Sequence, residues 1–313
     1  MSEPTAKIWI GFITFGETTA RYLPSFLDSI KDSGARIVAF DNTAQPENAN
    51  TKILARYPEV SVMRADANLG FGSAYNRLIT AAREDNAEYF FVINPDTILD
   101  SGSLEKLVLA LRADSTLASV APKLRRWDFL HGRKTDCIDS VGLALGPGLR
   151  FRDIGQGETD RAQYDQADII GPSGAAGLFR MSALETIREN GAYYDEHFFM
   201  YKEDCDLAYR LHMAGFKSRL VADAIIYHDR TATGGGLLAR FFNRHGRGRQ
   251  VNNWAFVNQH LLWIKYWRKQ NFFNKTAIVM QRLLRFVEAV VIEQYLLANY
   301  KSIRQIAKTL QRY

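Results

Sequence analysis

Short apolar runs that close on polar residues alternate with segments of helical periodicity along the first third of the chain. Ile8 to Ile13 closes at Thr14, Ile37 to Phe40 at Asp41 and Asn42, Val60 to Met63 at Arg64, and Tyr89 to Ile93 at Asn94. Runs this short, rich in β-branched and aromatic residues, predict strands. Tyr22 to Lys31, Gly72 to Asp85 and Leu104 to Asp114 carry apolar residues at helical spacing and predict helices. Their alternation predicts right-handed βαβ units and a mostly parallel sheet flanked by helices, an α/β fold. Ligands of such sheets sit at the carboxyl ends of the strands, where this chain puts its polar residues.

Further along, Lys123 to Gln166 is irregular and rich in glycine and charge, which predicts loops and short strands. Order resumes at Ile169 to Phe179, a segment carrying Gly171, Gly174 and Gly177, followed by a helix from Ser182. Leu207, Ala208 and Leu211 follow Asp204 at i+3, i+4 and i+7, so Asp204 is expected to begin the buried stripe of a helix ending at Gly215. Ser218 to Tyr227 predicts a strand that ends at His228, and Gly234-Gly235-Gly236 a hinge. Beyond it, Met280, Leu284, Val287, Val291, Tyr295 and Ala298 recur every three or four residues, which predicts an amphipathic helix. Arg282 and Arg285 interrupt it, and no run of about 18 apolar residues exists to span a bilayer.

Charge divides the chain more sharply than hydropathy does. The net +6 is the sum of −6 for Met1 to Arg230 and +12 for Thr231 to Tyr313, which suggests a body of residues 1–230 and a basic tail of residues 231–313 with separate tasks. Trp254, Trp263, Tyr266, Trp267, Phe272 and Phe273 interleave the tail's basic residues. That mixture suits packing on the body or on a second subunit, or an anionic membrane surface. It also raises nucleic-acid binding, against which the acidic body weighs. At 47% hydrophobic and 24% charged, the composition excludes disordered and collagen-like classes. Cys137 and Cys205 are the only cysteines, too few for a disulfide framework and without zinc-site spacing, which fits a reducing cytoplasm.

Four segments could carry chemistry. Asp96 in Asn94-Pro95-Asp96 follows an apolar strand, where a carboxylate can hold a divalent cation that bridges a diphosphate; the triplet is also good turn chemistry. Asn68 to Asn76 is a glycine-bearing strand-to-helix turn, suited to phosphate or nucleotide but lacking both the dinucleotide fingerprint and the Gly-Lys-Ser/Thr of a P-loop. Glu203-Asp204 opens a helix, either favouring its dipole or supplying Asp204 as a general base. His228 is a metal ligand or a satisfied histidine.

In this order the segments resemble the inverting, GT-A-fold nucleotide-sugar glycosyltransferases of family 2, especially the bacterial rhamnosyltransferase-like branch, over Ile8 to Asp229. The family's aspartate after the second strand falls on Asp41, its Asn-x-Gly-x-x-x-x-x-Asn segment on Asn68, Gly70 and Asn76, and its Asp-x-Asp motif on Asn94-Pro95-Asp96 with a departure at the first position. Its Gly-Ala floor falls on Gly174 to Gly177, its Glu-Asp pair on Glu203-Asp204, and its strand-ending histidine on His228. The resemblance implies a Rossmann-like GT-A domain with a basic helical extension. It implies Mg2+ or Mn2+ on Asp96 and His228, and nucleoside contacts from Thr14, Asp41, Asn42, Asn68 and Gly70, with Asn76 and Asn94 nearby. Asp204, beside Glu203, would deprotonate an acceptor hydroxyl for a single inverting displacement. The implied donor is a nucleoside-diphosphate sugar, with deoxythymidine diphosphate rhamnose preferred and uridine diphosphate sugars open, and the acceptor a glycan or lipid-linked molecule at the inner face of the cytoplasmic membrane, as in O-antigen synthesis. A nucleotidyltransferase on a similar sheet is the alternative, disfavoured because no Gly-rich, Lys/Arg-bearing triphosphate loop lies near the first strand.

Overall fold

The computed structural model describes residues 7–230, 248–310 and 312–313. The expected hinge at Gly234-Gly235-Gly236 lies outside the described residues. The chain divides into two compact units, the first made of Met1–Ala144, Asp153–Glu196 and Glu203–Thr231, the second of Leu145–Arg152, His197–Lys202 and Ala232–Tyr313.

In the first unit the early apolar runs become β1 (Ile8–Thr14), β2 (Arg36–Asp41), β3 (Val60–Arg64) and β4 (Tyr89–Ile93). They are connected through α1 (Gly16–Ala20), α2 (Leu23–Ile30), α3 (Ala49–Leu54) and α4 (Gly70–Glu84). The four strands pair in parallel in the order β3-β2-β1-β4. Every residue of β4 is buried because alternate side chains enter different cores. Phe91 and Ile93 join Phe12, Phe26 and Leu27, whereas Phe90 and Val92 join Tyr75 and Leu78. Burial on both faces explains why this strand reads as an unbroken apolar run.

Beyond β4 the sheet becomes mixed. There follow β5 (Thr97–Leu99), α5 (Ser103–Ala113), β6 (Leu117–Asp128), β7 (Arg133–Ser140), β8 (Leu143–Gly146), β9 (Arg150–Asp153), β10 (Ala176–Arg180), α6 (Met181–Thr186), α7 (Glu203–Met213) and β11 (Lys217–His228). Strand β10 lies antiparallel between β4 and β6, β11 runs parallel to β6, and β5 pairs antiparallel with β11. At Gly177 a Cβ would come within 2.4 Å of the Pro172 ring, so the turn into β10 closes on itself only around glycine.

The segment expected as loops and short strands holds the short strands β8 and β9, of 4 residues each, and loops, but also the second half of β6, a strand of 12 residues from Leu117, and β7 with 8. Its charges obscure the pattern because they are paired inside. Lys123 Nζ lies 3.0 Å from Asp160 and 2.5 Å from Asp165, and Arg125 Nη2 lies 2.7 Å from Asp160. Burial raises the Asp160 carboxyl, but the Ala162 amide, Arg125 and Lys123 outweigh it and bring it down to about 2. A folded value below the ordinary carboxylate range means that this contribution, about 2 kcal/mol, is present above pH ~4 and is lost as pH falls toward ~2. Asp160→Asn should therefore lower unfolding stability by about 3 kcal/mol at pH 7, since it leaves buried cationic charge undercompensated, and by much less at pH 2. Denaturant unfolding at the two pH values measures the difference; equal losses at both would refute the ion-pair origin.

The second unit contains α8 (Arg249–Tyr266), α9 (Phe272–Val291) and α10 (Asn299–Ile306), joined by 3-10 turns. Phe256, Ala289, Leu296 and Ile303 form its core. Trp263 Nε1 donates to the Gly148 carbonyl at 2.9 Å, and the Asn258 amide donates to the Met200 and Tyr201 carbonyls at 2.8 and 2.7 Å. The two Asn258 bonds hold a turn in which Tyr201 and Lys202 both adopt positive φ, 71° and 72°, directly before α7 begins. Two consecutive side-chain-bearing residues in that region are costly and persist only where neighbours fix them.

Candidate active site

Strand pairing brings Asp96 and His228 together. Strand β5 begins at Thr97 and meets the last residues of β11 in antiparallel register, with His228 opposite Thr97. The Asp229 amide donates to the Asp96 carbonyl at 2.9 Å, and His228 Nε2 lies 3.4 Å from Asp96 Oδ2. The other ring nitrogen, Nδ1, lies 2.8 Å from Asp139 Oδ2. A carboxylate only accepts, so Nδ1 carries its proton toward Asp139 and Nε2 is the atom turned to Asp96. Arg230 closes the network at 3.3 Å from Asp139 and 3.1 Å from Asp153. Burial alone would lower the His228 pKa, but Asp96 and Asp139 raise it to about 10. For Asp139, burial raises the carboxyl while His228 and Arg230 bring it below the usual range. Burial pushes Asp153 up.

The Asp96 turn is also fixed from the sheet side. The Asn94 amide donates to the Ala175 carbonyl at 2.9 Å, and the Thr97 hydroxyl donates to the Asn94 carbonyl at 2.6 Å. Gly174, one residue before Ala175, donates its amide to Asp204 Oδ2 at 3.0 Å, while the Cys205 amide donates to Asp204 Oδ1 at 2.8 Å. One floor segment, Gly174-Ala175, thus holds Asp204 directly and, through Asn94, the turn that carries Asp96. A side chain at Gly174 would put a Cβ 3.2 Å from Asp204 Oδ2.

Helix α7 does not present a single buried stripe starting at Asp204, as its spacing predicts. Glu203 and every residue from Cys205 to Leu211 are buried, and Asp204 alone in that stretch keeps partial exposure. The polar residues of α7 tolerate burial because Arg210 pairs with Asp206 at 2.9 Å and donates to the Ile187 and Tyr193 carbonyls.

The residues expected around the nucleoside fall into three groups. Thr14 ends β1 opposite Asp41 in β2, and its hydroxyl donates to Asp41 Oδ1 at 3.0 Å; Asn48 donates to Asp41 Oδ2 at 2.8 Å. The Asn42 amide donates to Asn68 Oδ1 and the Gly70 carbonyl and accepts from the Leu69 amide, so Asn42, Asn68 and Gly70 form one interlocked turn. Gly70 takes φ 79° there, a conformation that favours glycine. Asn76 belongs elsewhere: it donates to the Tyr194 carbonyl and Glu196 and accepts from the Tyr193 and Tyr194 amides. All its hydrogen-bonding positions are taken, which makes it a clamp on residues 193–196 rather than a group turned to the Asp41 turn.

Residues 9–188 match the sequence profile described as Glycosyl transferase family 2. The chain belongs to that family. A curated relative, the N-acetylglucosaminyl-diphospho-decaprenol L-rhamnosyltransferase of Mycobacterium tuberculosis (strain CDC 1551 / Oshkosh), is 28% identical over 230 residues, 68% of this chain and 74% of the relative. Among solved structures, the mannosyltransferase PcManGT from Pyrobaculum calidifontis, in complex with GDP-Man and Mn2+, aligns with a TM-score of 0.54 at 15% identity over 99% of this chain and 77% of that one. GalNAc-T7 with UDP, GalNAc and Mn2+ aligns at 0.58 and 13% identity over 85% and 49% of the two chains. The fold of this glycosyltransferase is the α/β GT-A fold of these neighbours. Neither the nucleotidyltransferase nor the nucleic-acid-binding alternative finds support in these matches.

Sequence reasoning missed the carboxylates behind the histidine. Asp139 of this glycosyltransferase stands 89 residues before His228 and inside the segment expected as loops, so no local spacing connects them. The only available signal was chemical: an acidic residue closing the run Cys137-Ile138-Asp139.

Proposed function

We propose that this glycosyltransferase transfers a sugar, L-rhamnose as the first reading, from a nucleoside diphosphate to a hydroxyl of a lipid-linked acceptor with inversion at the anomeric carbon. The observation that carries the chemistry is that Gly174-Ala175 holds both Asp204 and, through Asn94, the turn bearing Asp96, with His228 against Asp96. The sugar and acceptor rest on the mycobacterial relative's stated activity.

A divalent ion fits Asp96 and His228. Asp96 Oδ1 is buried without a hydrogen-bond partner, and Asp139 holds His228 so that Nε2 turns the same way. Among the described residues no group of three or more His, Cys, Asp or Glu could hold a metal, so these two would be its protein ligands. Mg2+ and Mn2+ sites of this kind are commonly completed by substrate phosphates and water. When bound, the ion neutralises charge developing on the departing diphosphate.

Asp204 does the proton chemistry. Its carboxylate, oriented by two backbone amides and partly exposed, accepts the acceptor's hydroxyl proton while the oxygen attacks from the face opposite the diphosphate. Glu203 and Asp206, buried, anchor the helix behind it. The interlocked Thr14-Asp41 and Asn42-Asn68-Gly70 turns form a preset rim for the nucleoside, which spares ordering cost on binding.

A panel of nucleotide sugars, read by thermal shift with and without Mn2+, tests this reading. The cognate donor should stabilise by about 2.7 kcal/mol at a hundredfold excess over its Kd, and only with metal. Stabilisation by a nucleoside triphosphate alone, with pyrophosphate release, would overturn it.

A further inference from the structure

Helix α9 is mounted inside out. Of its 20 residues only Ile278 and Ala289 are buried, and the face turned toward the rest of its unit carries Asn274, Gln281, Arg285 and Glu288 beside them. The opposite face is almost wholly apolar. Phe272 and Phe273 are 77% and 81% exposed, Leu283 and Leu284 55% and 61%, and Val291 70%. At 100° per residue this outward stripe spans about 160° of the helix and is broken only by Thr276. A soluble helix is expected to bury such a stripe, and contiguous exposed apolar surface marks an interaction site.

The surrounding charge selects the occupant. Arg268 and Lys269 stand exposed just before the helix, and Arg282 is exposed at the border of the stripe. Residues 248–313 carry eleven Lys and Arg against two acids. Neither acid offers a free negative charge at the surface: Glu293 is buried, and Glu288 is paired with Arg285 at 2.8 Å. A second copy of the chain would bring like charge against like. A surface that combines an apolar interior with negative headgroups satisfies both features at once. No described helix is long and apolar enough to cross a membrane, so α9 would lie along the surface instead.

We propose that the outward face of α9 is a docking surface for an anionic lipid bilayer, with the apolar stripe entering the acyl boundary and Arg268, Lys269 and Arg282 meeting the headgroups. The surface is read from α9 itself and stands apart from the choice of donor and acceptor above.

Flotation of the full-length protein with vesicles of phosphatidylglycerol and phosphatidylcholine in equal parts tests it, with pure phosphatidylcholine as the control. Strong binding to the anionic vesicles and weak binding to the control are expected, declining with salt. Leu283→Gln combined with Val287→Gln, both at exposed positions, should weaken partitioning on the order of a hundredfold. Arg268→Gln with Arg282→Gln should weaken it roughly fivefold per charge on the anionic vesicles only. Equal thermal stability of all variants shows that the fold is retained. Unchanged vesicle binding in the Leu283/Val287 variant overturns the proposal, as does a concentration-dependent dimer that this variant abolishes while vesicles bind neither protein. Short oligonucleotides competing away all vesicle binding would equally overturn it, in favour of a nucleic-acid surface.

Discussion

Asp204→Asn should lower kcat by two to four orders of magnitude, about 3 to 5 kcal/mol in the barrier, with donor affinity changed little. Asparagine keeps the side-chain volume and one carbonyl oxygen, so it can still accept from the Gly174 or Cys205 amide, but it cannot take the acceptor's proton. Glu203→Gln should act differently. Glu203 is buried at 5% exposure, so its loss should appear mainly as lower thermal stability. Initial rates at saturating donor, with acceptor varied, separate the two. If Glu203→Gln is the inactive variant and Asp204→Asn retains full turnover, the base is Glu203.

The same comparison shows where the sequence is readable and where it is not. Strands β1, β2 and β4 declare themselves because their side chains enter apolar cores and polar residues close them at one sheet end: Thr14 and Asp41 as the last residues of β1 and β2, and Asn94 directly after β4. Strand β6 stays hidden because Lys123 and Arg125 sit within it, and only the folded chain supplies Asp160 and Asp165 to neutralise them. The adjacency of Glu203 and Asp204 is legible, yet their order of burial is not: α7 is surrounded on nearly every side, so no stripe distinguishes them. Helix α9 presents the reverse difficulty. Its periodicity at Met280, Leu284, Val287 and Val291 is plain, but a period fixes only that one face is apolar, not which way that face is turned. Asn76 shows a limit of motif reading, since the pattern marks the residue but not residues 193–196, more than a hundred positions on, that its amide binds.

Asp96→Ala should abolish metal-dependent transfer, and Asp139→Asn should weaken metal affinity by about 10- to 100-fold without removing a ligand. The second variant is the more discriminating. In the metal-free protein, His228 is a cation at neutral pH, held near a pKa of about 10 by Asp96 and Asp139. Raised above its ordinary value of 6.5, it stabilises the fold fully below pH ~6.5, and that contribution is lost as pH rises toward ~10. A metal must displace the Nε2 proton to use that nitrogen, so Mn2+ binding at pH 7 should release close to one proton per site and tighten as pH rises. Calorimetry in two buffers of different ionisation enthalpy counts that proton directly. In Asp139→Asn the imidazolium loses one of the two carboxylates that support it, so the number released at pH 7 should fall below one. The ring also exchanges a charged acceptor at Nδ1–H for a neutral amide oxygen, a weaker partner that holds the ring less firmly, which accounts for the weaker affinity. Proton release that is zero in the wild type, or unchanged in Asp139→Asn alongside unchanged affinity, would remove His228 from the metal site and leave it as the hub of a structural ion cluster with Arg230 and Asp153.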